Sequence, residues 1–196
     1  MFEFYFPPEG HREGMAHVTR LSHSCDNPNW HFALHVHQQD VELLYITGGR
    51  ASLMVGTRQV AVEAGDILLI KPGTSHSTTS DPNDPSNIWS VSLSHVSEEM
   101  LAGFPAVPWA KAGEHAAFLQ AAILQLQKFS RQLVPATQLT CDYIGNSLLT
   151  LYGHHHSCFW RKTSCLVRRN VMHITSILFG QRTSQYVYDG HRYYII

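Results

Sequence analysis

Short apolar or alternating runs, separated by turn-forming residues, fill the segment between Gly14 and His95. Seven of these runs have the length and the two-residue alternation that are typical of β-strands. They cover residues 15–22, 32–37, 41–47, 51–55, 59–62, 67–70 and 88–94. The tetrapeptide VGTR at residues 55–58 predicts a tight hairpin turn, and the proline-rich stretch 81–87 predicts a loop. Many short strands with closely spaced turns predict an antiparallel barrel or sandwich.

From residue 114 onwards the apolar positions follow a helical period instead. One run covers residues 114–131, and a second covers residues 137–152, where the stripe consists of Leu139, Tyr143, Ile144, Leu148 and Leu151. The dipeptide Val134-Pro135 separates the two runs. We therefore expect a mainly β fold whose barrel is followed by an α-helical hairpin. Its apolar stripes either close the domain's own core or pack against a second copy in a homodimer.

The last part of the chain has a different composition. Acidic side chains nearly vanish, and the ending YVYDGHRYYII is aromatic. Residues 166–179 could form one more helix, and Asp189-Gly190 is a plausible hairpin turn. We divide the chain into a barrel with an N-terminal arm (1–113), a helical hairpin expected to mediate dimerisation (114–156) and an atypical tail (157–196).

Composition narrows the class of protein. The chain has 196 residues, of which 44% are hydrophobic and 15% charged, as expected for one folded domain. A formal net charge of −1 does not favour non-specific binding to nucleic acid or to anionic membranes. No apolar stretch is long enough to cross a bilayer, the N-terminus lacks the features of a signal peptide, and the four cysteines form no Cys-x-x-Cys pair. We therefore expect a cytoplasmic protein with no membrane partner.

The stretch WHFALHVHQQDVELLYITGG at residues 30–49 carries the candidate chemistry. His35 and His37 are two residues apart, so on a strand they share one face. A short turn then returns the chain, which allows Glu42 on the next strand to meet them. Further on, Pro72 and Gly73 form a turn that brings His76 into the same space. The chain has 14 histidines, an excess that fits metal ligation or proton chemistry.

Three imidazoles and one carboxylate form a ligand set that suits Zn, Ni, Fe, Mn, Co or Cu, with positions left open for water or a substrate oxygen. The same four residues could instead hydrogen-bond a polar effector directly. Three aromatic residues, Trp30, Tyr45 and Trp89, are candidate ligand-binding walls of the barrel, although each could also be ordinary core. The run His154–His156 with Cys158 is read as an exposed histidine run rather than as a metal cluster, because successive helical residues diverge around the axis.

These motifs resemble those of the cupin superfamily. Its first motif is a Gly, five residues, His-x-His, three or four residues, Glu, six residues, Gly; its second is a Gly, five residues, Pro-x-Gly-x-x-His, three residues, Asn. This sequence has all four ligand positions, and Gly49, Gly65 and Gly73 fall in register. It departs from the motifs at three other positions: Asn29, Lys71 and Ser80. The resemblance implies a cupin-type double-stranded β-helix, or jelly-roll barrel, and His35, His37, Glu42 and His76 as metal ligands.

A second resemblance follows from the order of the elements. The segments HVHQQDVELLYITGG and VEAGDILLIKPGTSH, followed by two helices, resemble the sensor half of AraC-family transcription regulators over residues 12–152. The resemblance implies that the barrel binds a small-molecule effector and that the helix pair mediates dimerisation. In that family a separate domain with two helix-turn-helix motifs binds DNA. No such pattern follows residue 152, so we expect this chain to contact DNA only through a domain that it lacks.

Three functional hypotheses remain at the level of the sequence. The first is the effector-sensing and dimerisation domain of an AraC-type regulator, which the helix pair and element order favour. The second is a stand-alone metal-dependent cupin enzyme, a dioxygenase or isomerase, which the complete ligand set favours; no catalytic residue beyond the ligands can be named. The third is a small binding protein without a regulatory role.

Overall fold

A computed structural model of the chain describes residues 1–7, 13–104, 109–132 and 134–156, together with two short strands at 186–188 and 193–195. Ten strands precede or interleave with the helices: β1 Phe2–Tyr5, β2 His17–Ser24, β3 His31–His35, β4 Val41–Gly48, β5 Arg50–Val55, β6 Arg58–Glu63, β7 Asp66–Ile70, β8 His76–Ser80, β9 Asn87–Ser94 and β10 Trp109–Lys111. The helices are α1 Glu98–Gly103, α2 Ala116–Ser130 and α3 Pro135–His156. The strands β11 Tyr186–Tyr188 and β12 Tyr193–Ile195 pair with each other in antiparallel register.

Two antiparallel sheets form the barrel. The larger sheet has the order β1-β2-β9-β4-β7-β10, and the smaller has the order β3-β8-β5-β6. Successive strands of the chain often switch from one sheet to the other, which is the connectivity of a jelly roll. Alternation along β4 shows how one strand serves two surfaces: Leu44 and Ile46 lie in the barrel interior, whereas Leu43 and Tyr45 lie on its outer face.

The helical hairpin covers that outer face of the larger sheet. The buried side of α3 includes Ile144 and Leu148, which belong to one apolar cluster with strand residues such as Leu93. At Gly145 the helix approaches the sheet so closely that an added Cβ would lie 2.5 Å from Cγ2 of Val18 and 2.6 Å from Cδ2 of Leu93. The apolar stripe of the hairpin therefore completes the core of its own chain.

This packing decides between the two arrangements that the apolar stripe of the helices left open. Leu148 is fully buried and Leu151 is half-buried against the same core, so Leu148 does not face a second copy. The apolar spacing alone could not distinguish the two arrangements, because an amphipathic helix has the same pattern whether its stripe meets its own sheet or a partner.

All seven predicted strands are present, with ends that differ by at most two residues. The sequence did not predict β1, β8, β10 or the short helix α1. β8 has the sequence HSTTS, which has no apolar alternation. The proposed helix at 166–179 and the turn at Asp189-Gly190 lie outside the described residues. Among the helices that the structure describes, none has the length and hydropathy to cross a membrane.

Candidate metal centre

The four residues that the sequence singled out come together between the two sheets. His35 ends β3, and its Cα pairs with that of His76, which begins β8. Glu42 belongs to β4 in the opposite sheet, where its Cα pairs with Ile70 of β7 and Ser92 of β9. His37 lies just after β3. The ring centroids of His35 and His76 are 4.0 Å apart, and those of His35 and His37 are 4.9 Å apart.

A glycine turn brings His76 into this position. Gly73 has a φ of +75°, a left-handed conformation that disfavours side chains. Its amide N–H donates to the carbonyl oxygen of His37 at 2.8 Å, which ties the turn before β8 to the loop after β3. The two segments that carry histidines are thus held together by backbone as well as by strand pairing.

The potential ligand atoms of His35, His37, Glu42 and His76, one from each, all lie within 4.8 Å of one another. Opposite ligands of a single transition-metal ion, bound at roughly 2.1 Å each, are about 4.2 Å apart. Small rotations of the side chains are therefore sufficient to bring the four atoms to one ion. The spacing is that of ligands around a common centre rather than of scattered polar groups.

Backbone carbonyls orient two of the imidazoles. Nδ1 of His35 lies 2.9 Å from the carbonyl oxygen of Ala33, and Nδ1 of His76 lies 2.9 Å from that of Thr74. A carbonyl oxygen only accepts, so each Nδ1 is protonated and donates. This is the outer contact that metal-ligating histidines commonly make, and it directs Nε2 towards the centre.

Nε2 of His35 is buried and has no hydrogen-bond partner among the described residues. Burial lowers the pKa of His35, against the hydrogen bond to Ala33, which raises it, so the neutral, ligand-competent form is favoured. A buried ring nitrogen without a partner is costly unless an ion or another molecule satisfies it. The residues present therefore fit a divalent transition metal, and the atom that fits it best is Nε2 of His35.

Glu42 is the charged partner of the cluster and is only 4% exposed. Its Oε2 lies 2.8 Å from Nε2 of His76 and 3.5 Å from Nε2 of His37. Burial alone would raise the pKa of Glu42, but the hydrogen bonds from His37 and His76, the Arg20 guanidinium and the Ser90 hydroxyl outweigh it and hold this pKa well below its usual range. Glu42 is therefore an anion at neutral pH.

Arg20 is a member of this polar cluster that the sequence reasoning missed. One of its terminal nitrogens donates to Oε1 of Glu42 at 2.6 Å, and the other lies 3.4 Å from Oε1 of Glu3 on β1. Since Arg20 and Ser90 both bind Oε1, the second oxygen of Glu42 is left to the histidines. The available signal was weak: a single arginine on a strand whose inward positions, Ser22 and Ser24, are polar.

The space inside the barrel beside these residues is small. The cavity has a volume of about 40 Å³. Its wall includes Trp30, Phe32 and Leu44 from the barrel, and Met1 and Glu3 from the start of the chain. Trp30 is thus where the sequence placed it, on the wall of the interior site. The volume suffices for an ion with a few waters.

Tyr45 and Trp89 do not line this interior cavity, which corrects their expected location. Both belong to the apolar cluster between the larger sheet and the helices. Their Cα atoms pair directly across β4 and β9, and both side chains lie on the face opposite to Glu42 and Ser90. Adjacent residues of a strand point to opposite faces of the sheet. A difference of one residue in position therefore decides whether a side chain lies in the barrel interior or on its outer face. The side chains of His154–His156 and Cys158 lie outside the part that the structure describes.

Comparisons with known proteins agree with this architecture. Residues 21–139 match the family described as the AraC-like ligand binding domain. An uncharacterized HTH-type transcriptional regulator of Escherichia coli, YdiP, is 25% identical over 168 residues, which cover 83% of this chain and 55% of YdiP. The chain therefore spans about half the length of this relative.

Two bacterial proteins are among the similar solved structures. YhaK from Escherichia coli is 21% identical, with a TM-score of 0.41, over 56% of this chain and 48% of YhaK. A cupin protein from Bacteroides fragilis is 21% identical, with a TM-score of 0.36, over 42% of this chain and 69% of its own. Because the family match covers more than half of the sequence, this chain belongs to the AraC-like ligand binding domain family.

Proposed function

We propose that this chain is the effector-sensing part of a transcription regulator and that its barrel binds a small polar molecule through a divalent transition metal. The observation that supports a bound metal is the buried Nε2 of His35, which has no partner among the described residues and lies among potential ligand atoms of His37, Glu42 and His76. A bound divalent cation would supply a Lewis-acidic position for an oxygen of the effector.

The side chains around the centre orient Glu42 and limit the size of the effector. Arg20 holds one oxygen of Glu42 and leaves the other directed at the histidines. Ligand pockets for drug-sized molecules usually have about 300–1,000 Å³, far more than the 40 Å³ found beside Glu42. A sugar-sized effector therefore requires the wall to move.

Metal analysis of untagged protein tests the proposal. We expect about one equivalent of a divalent transition metal after loading with each candidate ion in turn, and a loss of more than tenfold in occupancy for His35→Ala. The matched control is His31→Ala, an exposed histidine of the same strand, which should keep the metal. A triple variant with alanine at His154, His155 and His156 should keep it too, because binding there would be adventitious.

A metal content below about a tenth of an equivalent in the wild-type protein would overturn the proposal of a metal site. Equal metal content in wild type and His35→Ala would mean that the metal binds at another place. Either result would leave the four residues as direct hydrogen-bonding partners of an effector, since Glu42 is a buried anion with or without an ion.

A second candidate function is metal-dependent catalysis, which the complete ligand set favours. Beyond the ligands, the titratable residues on the described cavity wall are Glu3 and Arg20, and Glu3 is the one that could accept a proton. Turnover of a small carboxylate or keto compound by the metal-loaded protein, lost in both His35→Ala and Glu3→Gln, would support this function over sensing.

We also propose that the chain forms a homodimer and acts on DNA through a further domain. The family and the helix-turn-helix relative support a separate DNA-binding part. If α2 and α3 mediate dimerisation, the contact uses exposed side chains such as Leu124 and not the buried Leu148. Cross-linking of the chain at micromolar concentration tests the dimer directly.

A further inference from the structure

A second cleft lies outside the barrel, between the larger sheet and α2. Its volume is about 320 Å³, eight times that of the cavity beside Glu42. The sheet contributes His23, Tyr45, Asn87 and Trp89, and α2 contributes Gln120 and Leu124. A volume of this size is in the range of small-molecule sites.

Tyr45 supplies a polar group at this cleft. The residue as a whole is 5% exposed, and its hydroxyl, which makes no hydrogen bond with a described residue, still reaches solvent. Burial raises the pKa of Tyr45, so the phenol keeps its proton and is a donor at neutral pH. A ligand oxygen that accepts from this hydroxyl would take the place of water.

The wall around Tyr45 is held in place by its neighbours. The ring of His23 stacks on Trp89, with centroids 4.0 Å apart and planes at 11°. Nε2 of His23 lies 2.7 Å from Oδ1 of Asn87, and the Thr47 hydroxyl donates to the same oxygen at 2.8 Å. These contacts occupy Oδ1 but not the amide nitrogen of Asn87, which makes no hydrogen bond to a described residue. The wall of the cleft is therefore fixed by its own contacts. The Tyr45 hydroxyl and the Asn87 amide nitrogen are two donors there that make no hydrogen bond to a described residue.

The charge of the lining defines the class of ligand. Its described residues include no Asp, Glu, Lys or Arg, so an ion would lose its hydration without a partner. Ile123 and Leu124 supply apolar surface on the helix side, and Leu124 is 49% exposed at the rim. We propose that this cleft is a second small-molecule site, for a neutral aromatic alcohol or phenol whose oxygen accepts from Tyr45 and whose ring packs on Ile123 and Leu124.

The site is distinct from the metal centre and does not depend on it. Tyr45 and Glu42 belong to the same strand, but their side chains lie on opposite faces of the sheet. Variants of one site should therefore leave binding at the other unchanged, which makes failure of the two proposals distinguishable.

Fluorine NMR with 4-fluorophenol as the probe tests this inference on the full chain. We expect saturable binding of 4-fluorophenol and at least tenfold weaker binding of 4-fluorobenzoate, which has the same ring but carries a charge. Tyr45→Phe should weaken 4-fluorophenol binding about five- to tenfold, and Leu124→Trp, which narrows the rim, should weaken it as well.

Two control variants locate the binding. Tyr5→Phe removes an exposed phenol from β1, and Glu42→Gln alters the metal centre; both should bind 4-fluorophenol as the wild type does. Absence of saturable binding would overturn the inference. So would binding that survives Tyr45→Phe and Leu124→Trp unchanged, or that is lost in Glu42→Gln, since the probe would then lie elsewhere. Circular dichroism of each variant shows that the fold is retained.

Discussion

His17 and Asp142 form a buried pair that joins the barrel to the helical hairpin. Nδ1 of His17 on β2 lies 3.1 Å from Oδ2 of Asp142 on α3, and both side chains are almost fully buried. Nε2 of the same ring lies 2.7 Å from the carbonyl oxygen of Pro7. Both ring nitrogens thus lie within hydrogen-bond distance of an oxygen atom.

The carboxylate of Asp142 is also bound on its other side. Its Oδ1 accepts from the backbone N–H of Val18 and from the amide of Gln138, each at 2.9 Å. One turn along α3, Asn146 accepts from the N–H of Ala16 and donates to its carbonyl oxygen. The pair therefore connects the N-terminal arm, β2 and α3 in a single polar network.

Removal of His17 should destabilise the fold. His17→Ala leaves the buried Oδ2 of Asp142 without its hydrogen-bond partner, and an unpaired buried polar group costs about 1–3 kcal/mol. Urea unfolding followed by circular dichroism measures the change. The control is His31→Ala, an exposed histidine that bonds Thr79, for which we expect less than about 1 kcal/mol. A change for His17→Ala no larger than for the control would show that the pair contributes little.

The two leucines Leu148 and Leu124 should respond in opposite ways to a charge. Leu148→Glu places a carboxylate in the core between α3 and the sheet, so we expect loss of the folded state. Leu124→Glu alters an exposed position and should leave the far-ultraviolet spectrum unchanged. Light scattering on the Leu124→Glu protein also reports on assembly: a shift from dimer to monomer would place α2 at the interface. A folded Leu148→Glu protein would contradict the packing described above.

Cys141 should resist alkylation in the folded protein. Burial, with a smaller contribution from the neighbouring Asp142, raises the pKa of Cys141 to about 12. At pH 8 only about one molecule in 10,000 then carries the reactive thiolate, compared with roughly a tenth for a thiol at the ordinary pKa of 9.0. Iodoacetamide treatment followed by peptide mapping should label the half-buried Cys25 much faster than Cys141. Equal labelling would contradict the burial of Cys141; labelling in urea is the control for reactivity.

Metal removal should lower thermal stability through the four-residue centre. A ligand that binds only the folded state at a hundred times its Kd stabilises it by about 2.7 kcal/mol. We therefore expect a chelator to lower the Tm of metal-loaded wild-type protein by several degrees and to have little effect on His37→Ala. His31→Ala should behave as the wild type does. An equal chelator effect on all three proteins would mean that the stabilising metal lies outside this centre.

The local pattern of the sequence determined much of the fold. Seven strands and two helices followed from apolar alternation and helical spacing, because the side-chain period is a property of each element alone. The spacing of His35, His37, Glu42 and His76 predicted their convergence, which the structure confirms. β8 was not predicted since HSTTS is polar, and it forms a strand only because β3 and β5 pair with it on either side.

Tertiary structure alone decided which residues share a site across the sheets. Arg20 on β2 reaches Glu42 on β4 because only β9 lies between these two strands in the sheet. The local sequence does not encode this strand order. Tyr45 and Trp89 lie at the outer cleft and not in the predicted interior. Both faces of β4 and β9 are buried, so the apolar residues of these strands do not show in the sequence which face they occupy. The stripe of α3 is equally uninformative about its partner. Periodicity specifies that a face is buried; the packing of the whole chain specifies against what.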